Sequence, residues 1–545
     1  MLISDITVQT KSMIDDLKAI CTNYGLGNAS SEYKIITEVF LYKFLNDKFI
    51  HEARQIVPRF QEMPSAEVEA ALSAMPEDDY ELMLMDFSAA TARLKKEHYI
   101  SHLFNRKNQD DFHTLFDSTL IDIANYNIEI FSVQTGGQSK IRLFDAISQY
   151  VIEREKKDSF CRAIIDKLAN CSFDSVFDQK YDFFAAIFEY LIKDYNKDFG
   201  KYAEYYTPNT IASIIAKIMV PEGVQNVTIY DPAAGSGTLV LALAHEIGEE
   251  NCTIYTQDIS QKSNEFLRLN LILNNLVHSL PNVVHDDTLL NPRHLNHTKD
   301  GVMTFDYIVS NPPFKVDFSD SRNTLAGDKH QKRFFAGVPN IPNKNKNGMA
   351  IYLMFLQHII HSLDKNGKAA IVVPTGFLTA ASGIEKKIRE HIVNNRMLRG
   401  VISMPANIFA TTGTNVSILF IDKENKQGKI VLMDASMIGT KVKVDGKNQK
   451  TVLSLGEIEQ IINSFNAAIT MDDFCVALEY ADIIKNKSSF SAGQYFEVKI
   501  EYEELTPEEF QEKINTFQTN LIKYFAQGKE LEQQLVQQIG NLKYE

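Results

Sequence analysis

Five cysteines in 545 residues, none in a C-x-x-C pair, are too few and too scattered for a zinc ribbon or a disulfide frame (Cys21, Cys161, Cys171, Cys252 and Cys475). Reduced, buried thiols in a cytoplasmic protein are the expectation, with no metal site. No apolar run is long enough to cross a membrane. The start, Met1 to Lys18, alternates polar and apolar residues without a signal-peptide core, so no membrane partner is expected. Internal repeats and low-complexity tracts are absent. Positive charge is in deficit, with 56 Lys and Arg against 70 Asp and Glu, a net −14. A chain that held DNA alone would more often be basic, because phosphate contacts carry most of the affinity. Either DNA is not the substrate, or local patches and a partner supply the charge.

What is present suggests a globular protein of about two to four domains. Glycine and proline are sparse from Ile3 to Asp198, and apolar residues recur at helical spacing. Residues 1–198 therefore read as an all-α domain. Its clearest helix runs from Ser31 to Phe49, with Ser30 or Ser31 as cap and Tyr33, Ile36, Phe40, Phe44 and Leu45 on one broad face. Met75 to Asp79 reads as a loop, and Tyr181–Tyr195 as a helix stopped by Asp198-Phe199-Gly200. The texture then changes. Strand-like runs at Val227–Tyr230, Thr253–Thr256, Asn282–His285, Tyr307–Ser310, Ala369–Val373, Gly400–Met404 and Val416–Ile421 alternate with helical stretches. Residues 199–487 thus predict the α/β class, a Rossmann-like, doubly wound, mostly parallel seven-stranded sheet. Residues 488–545 form a C-terminal extension. There Thr506, Pro507 and Glu509 mark a capped helix start, and Phe510, Ile514, Phe517, Leu521, Tyr524, Leu531, Leu535 and Leu542 follow in heptad phase, interrupted by Gly528 and Gln538. Such a seam calls for a second helix, from this chain or from a partner.

The chemistry gathers at strand ends. Asp231-Pro232-Ala233-Ala234-Gly235-Ser236-Gly237-Thr238 follows the first strand, and its glycines let backbone approach a ligand. It is not G-x-G-x-x-G, so a pyrophosphate is not its natural guest. A carboxylate beside a glycine turn suits a cation with an amino-acid part. Asp258, after the second strand, is placed for ribose hydroxyls, and Asp287, after the third, for an adenine amino group. Together they describe a nucleoside site without phosphates, which points to S-adenosyl-L-methionine. Asn311-Pro312-Pro313-Phe314 ends the fourth strand, because two prolines cannot continue a ladder. The Asn311 amide and the Pro312 carbonyl can together accept both hydrogens of an exocyclic –NH2 group, and Phe314 can stack on a base flipped out of the duplex.

With these residues in view, the chain resembles the modification subunits of type I restriction–modification systems, which are N6-adenine DNA methyltransferases. The family's tyrosine–threonine–proline element matches Glu204-Tyr205-Tyr206-Thr207-Pro208-Asn209, and its D-T-L element matches Asp287-Thr288-Leu289. Gly367–Pro374, Gly400–Pro405, the segment from Tyr33 to Phe49 and the capped C-terminal helix also match. Asp258 departs from the glutamate frequent in relatives, and Asp286 from a glycine. The resemblance implies catalysis by Asn311, Pro312, Pro313 and Phe314. It implies a cofactor site built from Glu204 to Asn209, Asp231, Ala233, Gly235, Ser236, Gly237, Thr238, Asp258 and Asp287. It further implies double-stranded DNA as substrate and two modification subunits flanking one specificity subunit that reads the target. A restriction subunit can join such a complex.

One stretch fits DNA handling locally. From Lys315 to Gly348 there are seven Lys or Arg against three Asp, a net +4, with little apolar periodicity. A loop folding over the flipped adenine is expected, with Lys329, Lys332 and Arg333 on phosphates; a solvated flexible loop is the alternative. For the whole chain the alternatives are a stand-alone adenine methyltransferase, a protein-glutamine methyltransferase and a non-catalytic scaffold that binds cofactor or DNA.

Overall fold

A computed structural model describes residues 3–27, 31–88, 91–135, 140–174, 177, 187, 190, 207–409, 415–444, 448–496 and 505–540. The expected helix at Tyr181–Tyr195, its Asp198-Phe199-Gly200 stop, and Glu204, Tyr205 and Tyr206 lie outside the described residues, apart from Ile187 and Tyr190. The chain divides into two compact units, Met1–Tyr495 and Phe496–Glu545.

The described strands of the first unit are β1 (Val133–Thr135), β2 (Lys140–Ile141), β3 (Val227–Asp231), β4 (Cys252–Asp258), β5 (Val283–His285), β6 (Phe305–Ser310), β7 (Leu363–Pro374), β8 (Leu398–Ser403), β9 (Val416–Asp422), β10 (Ile430–Asp434), β11 (Thr440–Val444), β12 (Asn448–Val452) and β13 (Cys475–Leu478). Eleven of them form one sheet in the order β13-β10-β8-β9-β7-β6-β3-β4-β5-β1-β2, and β11 and β12 pair separately. All seven strands expected from sequence are in the sheet, joined by four more. The pairs from β7 through β6, β3, β4 and β5 to β1 are parallel, while β9 runs antiparallel to both β7 and β8. Central strands buried on both faces read as apolar runs, as in Tyr307-Ile308-Val309-Ser310.

The chain winds outward from β3 to β4 and β5, then returns to lay β6 on the other side of β3. A switch of direction leaves a crevice at the strands' C-terminal ends, where open α/β sheets bind ligands. Asp231 ends β3 and Asn311 follows β6, so both stand at this crevice.

The helical N-terminal region is not a separate unit. Its longest helix, Glu32–Ile56, is buried along most of its length. Tyr33 packs its ring 5.7 Å from Phe266 and donates to Glu265 at 3.3 Å, both on the helix Gln261–Leu273. From the same helix, Arg268 donates to the carbonyls of Ile141 and Arg142 at 3.1 and 2.8 Å. With β1 paired to β5, the helical region shares a core with the sheet rather than folding around its own, so no boundary at 198 follows from packing. Ser31 precedes that helix without a side-chain cap bond, and Ser30 is outside the described residues. Residues 77–79, expected in a loop, already belong to the helix Glu77–Asp86, whose acidic first turn suits the positive end of the helix dipole.

In the second unit the helix Pro507–Gly540 runs 34 residues without a break at Gly528 or Gln538. Thr506 and Glu509 exchange the expected capping-box bonds, at 2.9 and 3.2 Å.

Candidate active site

Asp231 is almost fully buried at the end of β3. Its Oδ1 accepts from the Ala233 backbone at 2.9 Å and from Ser310 Oγ, on β6, at 2.8 Å. These are neutral donors, so burial dominates and pushes the carboxyl up to about 7. The glycine turn follows. Gly237 has φ +82°, and a Cβ there would drive into the Leu267 side chain, so the residue type is dictated by a close approach of two elements. Thr288 Oγ1 donates to the Pro232 carbonyl at 2.7 Å and ties the D-T-L element to this turn.

Asp258 closes the turn from the neighbouring strand. Its Oδ2 accepts from Gly235 N at 2.9 Å and its Oδ1 from Ser260 N at 2.7 Å, while burial raises its pKa. Asp287 Oδ1 accepts from the backbone of Leu289 and Leu290 at 2.8 and 3.0 Å. The departure at Asp286 has a local role, because its carboxylate pairs with Arg293 and accepts from Asp287 N at 2.8 Å. Gly235, Asp258 and Asp287 all line one open cleft of about 1330 Å³, with Ala233 and Pro313 beside them.

Asn311 is buried, and its Nδ2 donates to Thr207 Oγ1 at 3.2 Å. Thr207 is itself buried just ahead of the helix Asn209–Met219, with Pro208 in the cap position. The bond uses the amide's nitrogen end and leaves Oδ1 as an acceptor. Between Thr207, Asn311, Asp231, Ser236 and Thr238 lies a small polar cavity of about 10 Å³, room for one water- or ammonium-sized group. Phe314 is half-buried, edge-on to Tyr352 with centroids 6.2 Å apart. The structure therefore brings together Thr207, Asp231, Ser236, Thr238 and Asn311 at one cavity and Asp258 and Asp287 at the cleft. Sequence reasoning missed the bonds that join them, from Ser310 and from Asn270, whose Nδ2 donates to the Ser236 carbonyl at 3.1 Å. A serine closing an apolar strand was the available signal for Ser310.

The stretch from Lys315 to Gly348 is not a solvated flexible loop. It is folded, with the short helix Arg322–Leu325, and its Phe318, Leu325 and Phe334 share a core with Leu289 and Met354 from outside the stretch. Val316, Phe318, Leu325, Lys329 and His330 wall the large cleft opposite Asp258 and Asp287. Lys329 and Lys332 are exposed, as phosphate contacts require. Arg333 is not. It is buried, and its guanidinium donates to the carbonyls of Thr288 and Leu289, with His330 Nδ1 at 3.1 Å from Nη2. Its charge is spent inside the protein, holding the wall to the D-T-L element. Arg333→Ala should lower the thermal midpoint and raise the cofactor dissociation constant about tenfold, since bonds to a buried cation are worth about 1.5–3 kcal/mol each. It should leave the salt dependence of DNA binding unchanged. Lys329→Ala with Lys332→Ala should instead flatten that dependence by about one slope unit for each phosphate no longer neutralised, with no change in midpoint.

The residues present fit S-adenosyl-L-methionine. A buried carboxylate with a raised pKa beside an ammonium-sized cavity wants a cation, and the cleft beyond it offers two carboxylates to hydroxyl and amino donors. Among the described residues no group of His, Cys, Asp and Glu could hold a metal ion, and no helix is long and apolar enough to cross a membrane.

A family model described as N-6 DNA Methylase matches residues 179–504. The MpnII methylase subunit of a type I restriction enzyme from Mycoplasma pneumoniae is 28% identical over 427 residues, 75% of each chain. The HindI methylase subunit from Haemophilus influenzae is 25% identical over 374 residues, 67% of this chain and 79% of its own. In fold, the chain is similar to the crystal structure of a type I restriction–modification methyltransferase subunit from Streptococcus thermophilus, with a TM-score of 0.71 at 20% identity, covering 91% of this chain and all of that one.

Proposed function

The chain belongs to the N-6 DNA methylase family and is a DNA methyltransferase, and from that premise we propose that it methylates N6 of a flipped-out adenine as the modification subunit of a type I restriction–modification complex. The observation that carries the reading is the Asn311 amide, held by Thr207 at the switch point beside Asp231.

Bound S-adenosyl-L-methionine supplies an electrophilic methyl group. The chain's own residues do the rest. Asp231, Ser236 and Thr238 hold the amino-acid end, and Asp258 and Asp287 the nucleoside end. Asn311 Oδ1 and the Pro312 carbonyl accept the two N6 hydrogens, which localises the nitrogen lone pair and aims it. Phe314 stacks on the base. No nucleophilic side chain is required, since positioning is the main contribution, and the proton leaves after N6 becomes cationic. The acidic net charge fits a division of labour in which a specificity subunit, flanked by two copies of this chain, selects the sequence. Where a restriction subunit joins, it adds cleavage. The C-terminal seam supplies a contact for that partner, with Phe510, Phe517, Leu521, Leu531 and Leu535 all more than half exposed. The complex works in the cytoplasm, in keeping with five unpaired cysteine thiols.

Transfer of labelled methyl groups to duplex DNA, with and without a co-expressed specificity subunit, tests the assignment. Transfer that depends on the partner is expected. Transfer by the chain alone points to the stand-alone enzyme, label on protein to glutamine methylation, and none at all to a scaffold.

Cofactor binding should also report Asp231. Its carboxyl is pushed up to about 7 by burial, and a cation selects the ionised form. Association should therefore release a proton near neutrality. Affinity should be full above pH 7 and fall toward tenfold per unit below it, as free protein protonates. Calorimetry from pH 5.5 to 8.5 checks this; Asp231→Asn should bind more weakly at pH 8 and lose the pH dependence.

A further inference from the structure

β11 and β12 form a two-stranded hairpin outside the main sheet. A lone hairpin is marginal in water and needs an anchor. Here the anchor is Thr451, which is buried, donates from its backbone to the Asn407 carbonyl at 3.0 Å and from Oγ1 to the Ala406 carbonyl at 2.6 Å. Leu453 is buried at the hairpin's foot, and Gly439, at φ +89°, lies so close to Thr451 that a Cβ would press on its methyl. Ala406 and Asn407 belong to the segment that leaves β8. Because β8 is antiparallel to β9, β9 antiparallel to β7, and β7 parallel to β6, β8 and β6 point the same way. The hairpin is thus pinned to the sheet edge that carries Asn311. Three strand spacings of about 4.8 Å separate the two strands, roughly 14 Å.

The hairpin's charge is opposite to that of the chain. Lys441 and Lys443 are exposed and Lys450 is half-exposed. Register puts Lys441 opposite Thr451 and Lys443 opposite Gln449, on the face whose anchor contacts the segment after β8. Two residues along a strand, they stand about 6.8 Å apart, close to the separation of successive phosphates on one DNA strand. Lys450 lies on the opposite face with Val442.

We infer that this hairpin is a DNA-backbone contact, with Lys441 and Lys443 lying against the phosphates beside the flipped adenine and Lys450 reaching the neighbouring groove edge. The inference rests on DNA being the substrate. It places sequence-independent positive charge at the catalytic edge of an acidic chain, a role that Arg333, buried in the cleft wall, does not fill.

The test is the triple variant Lys441→Gln, Lys443→Gln, Lys450→Gln in the assembled complex, with duplex DNA binding measured by anisotropy over a range of NaCl concentrations. Removing the two phosphate contacts of Lys441 and Lys443 should make the slope of log K against log salt shallower by about 1.8, at about 0.9 per phosphate. KM for DNA should rise while cofactor affinity and thermal midpoint stay put. An unchanged slope overturns the inference. So does loss of the partner subunit from the purified variant, which would assign the hairpin to a protein contact. Wild-type complex run in parallel separates the two levels: if it fails to methylate DNA, the proposed function falls and the inference with it.

Discussion

Asn311→Ala should lose methyl transfer by about 10³-fold or more, with cofactor affinity within about twofold of wild type. The magnitude follows from removing a preorganised group aimed at charge that develops in the transition state, which costs about 10²–10³ even where other groups remain. Here the group also selects the geometry of attack, so the loss sits at the upper end. The separation from binding follows from the structure. Asp258 and Asp287 in the cleft, and Asp231, Ser236 and Thr238 in the small cavity that Asn311 also lines, all remain in the variant to hold the cofactor. Single-turnover transfer and equilibrium cofactor titration on the same preparation check both halves. A variant with full rate would remove Asn311 from the chemistry.

Thr207→Val should slow transfer about 10²-fold and barely change cofactor affinity. Valine keeps the shape but takes away the acceptor of the Asn311 Nδ2 bond. The amide is buried, so the unpaired donor costs about 1–3 kcal/mol, and rotation of the amide relieves it. Rotation turns nitrogen toward the substrate where oxygen should be, and small misplacements of a positioning group cost about 10² in rate. Thr207→Ser restores the hydroxyl and should restore the rate. If Val weakened the cofactor in proportion to the rate, Thr207 would act on the cofactor, as the resemblance implies, and not on Asn311. The two variants together should be no worse than Asn311→Ala alone, since Thr207 acts through that side chain.

The parts of this site that sequence disclosed are those where one residue type has one physical use at one place. Two prolines must stop β6. Glycines at positive φ mark the turn after β3. Apolar runs bounded by turns located all seven central strands, though β7 begins at Leu363 rather than Ala369, ahead of a register shift against β6. Short strands were hidden where their neighbourhood said otherwise. β1 and β2 sit among helices, and β10 and β13 are brief apolar runs in a polar stretch. From sequence the cleft wall reads as a loop because Phe318, Leu325 and Phe334 keep no period; they meet only in space. Arg333 shows the limit for charge. Sequence gives the guanidinium but not its surroundings, and backbone carbonyls satisfy it as well as phosphates do. Thr207 and Asn311 are 104 residues apart, so no local pattern could join them.

In the proposed function the Asn311 clamp acts on the amino group of adenine. Mass spectrometry of nucleosides from duplex DNA, after reaction with the assembled complex and deuterated-methyl S-adenosyl-L-methionine, tests it directly. All the label should appear in N6-methyladenine, and none should appear with Asn311→Ala. Label in methylcytosine, or in N6-methyladenine at wild-type yield from the variant, would contradict it.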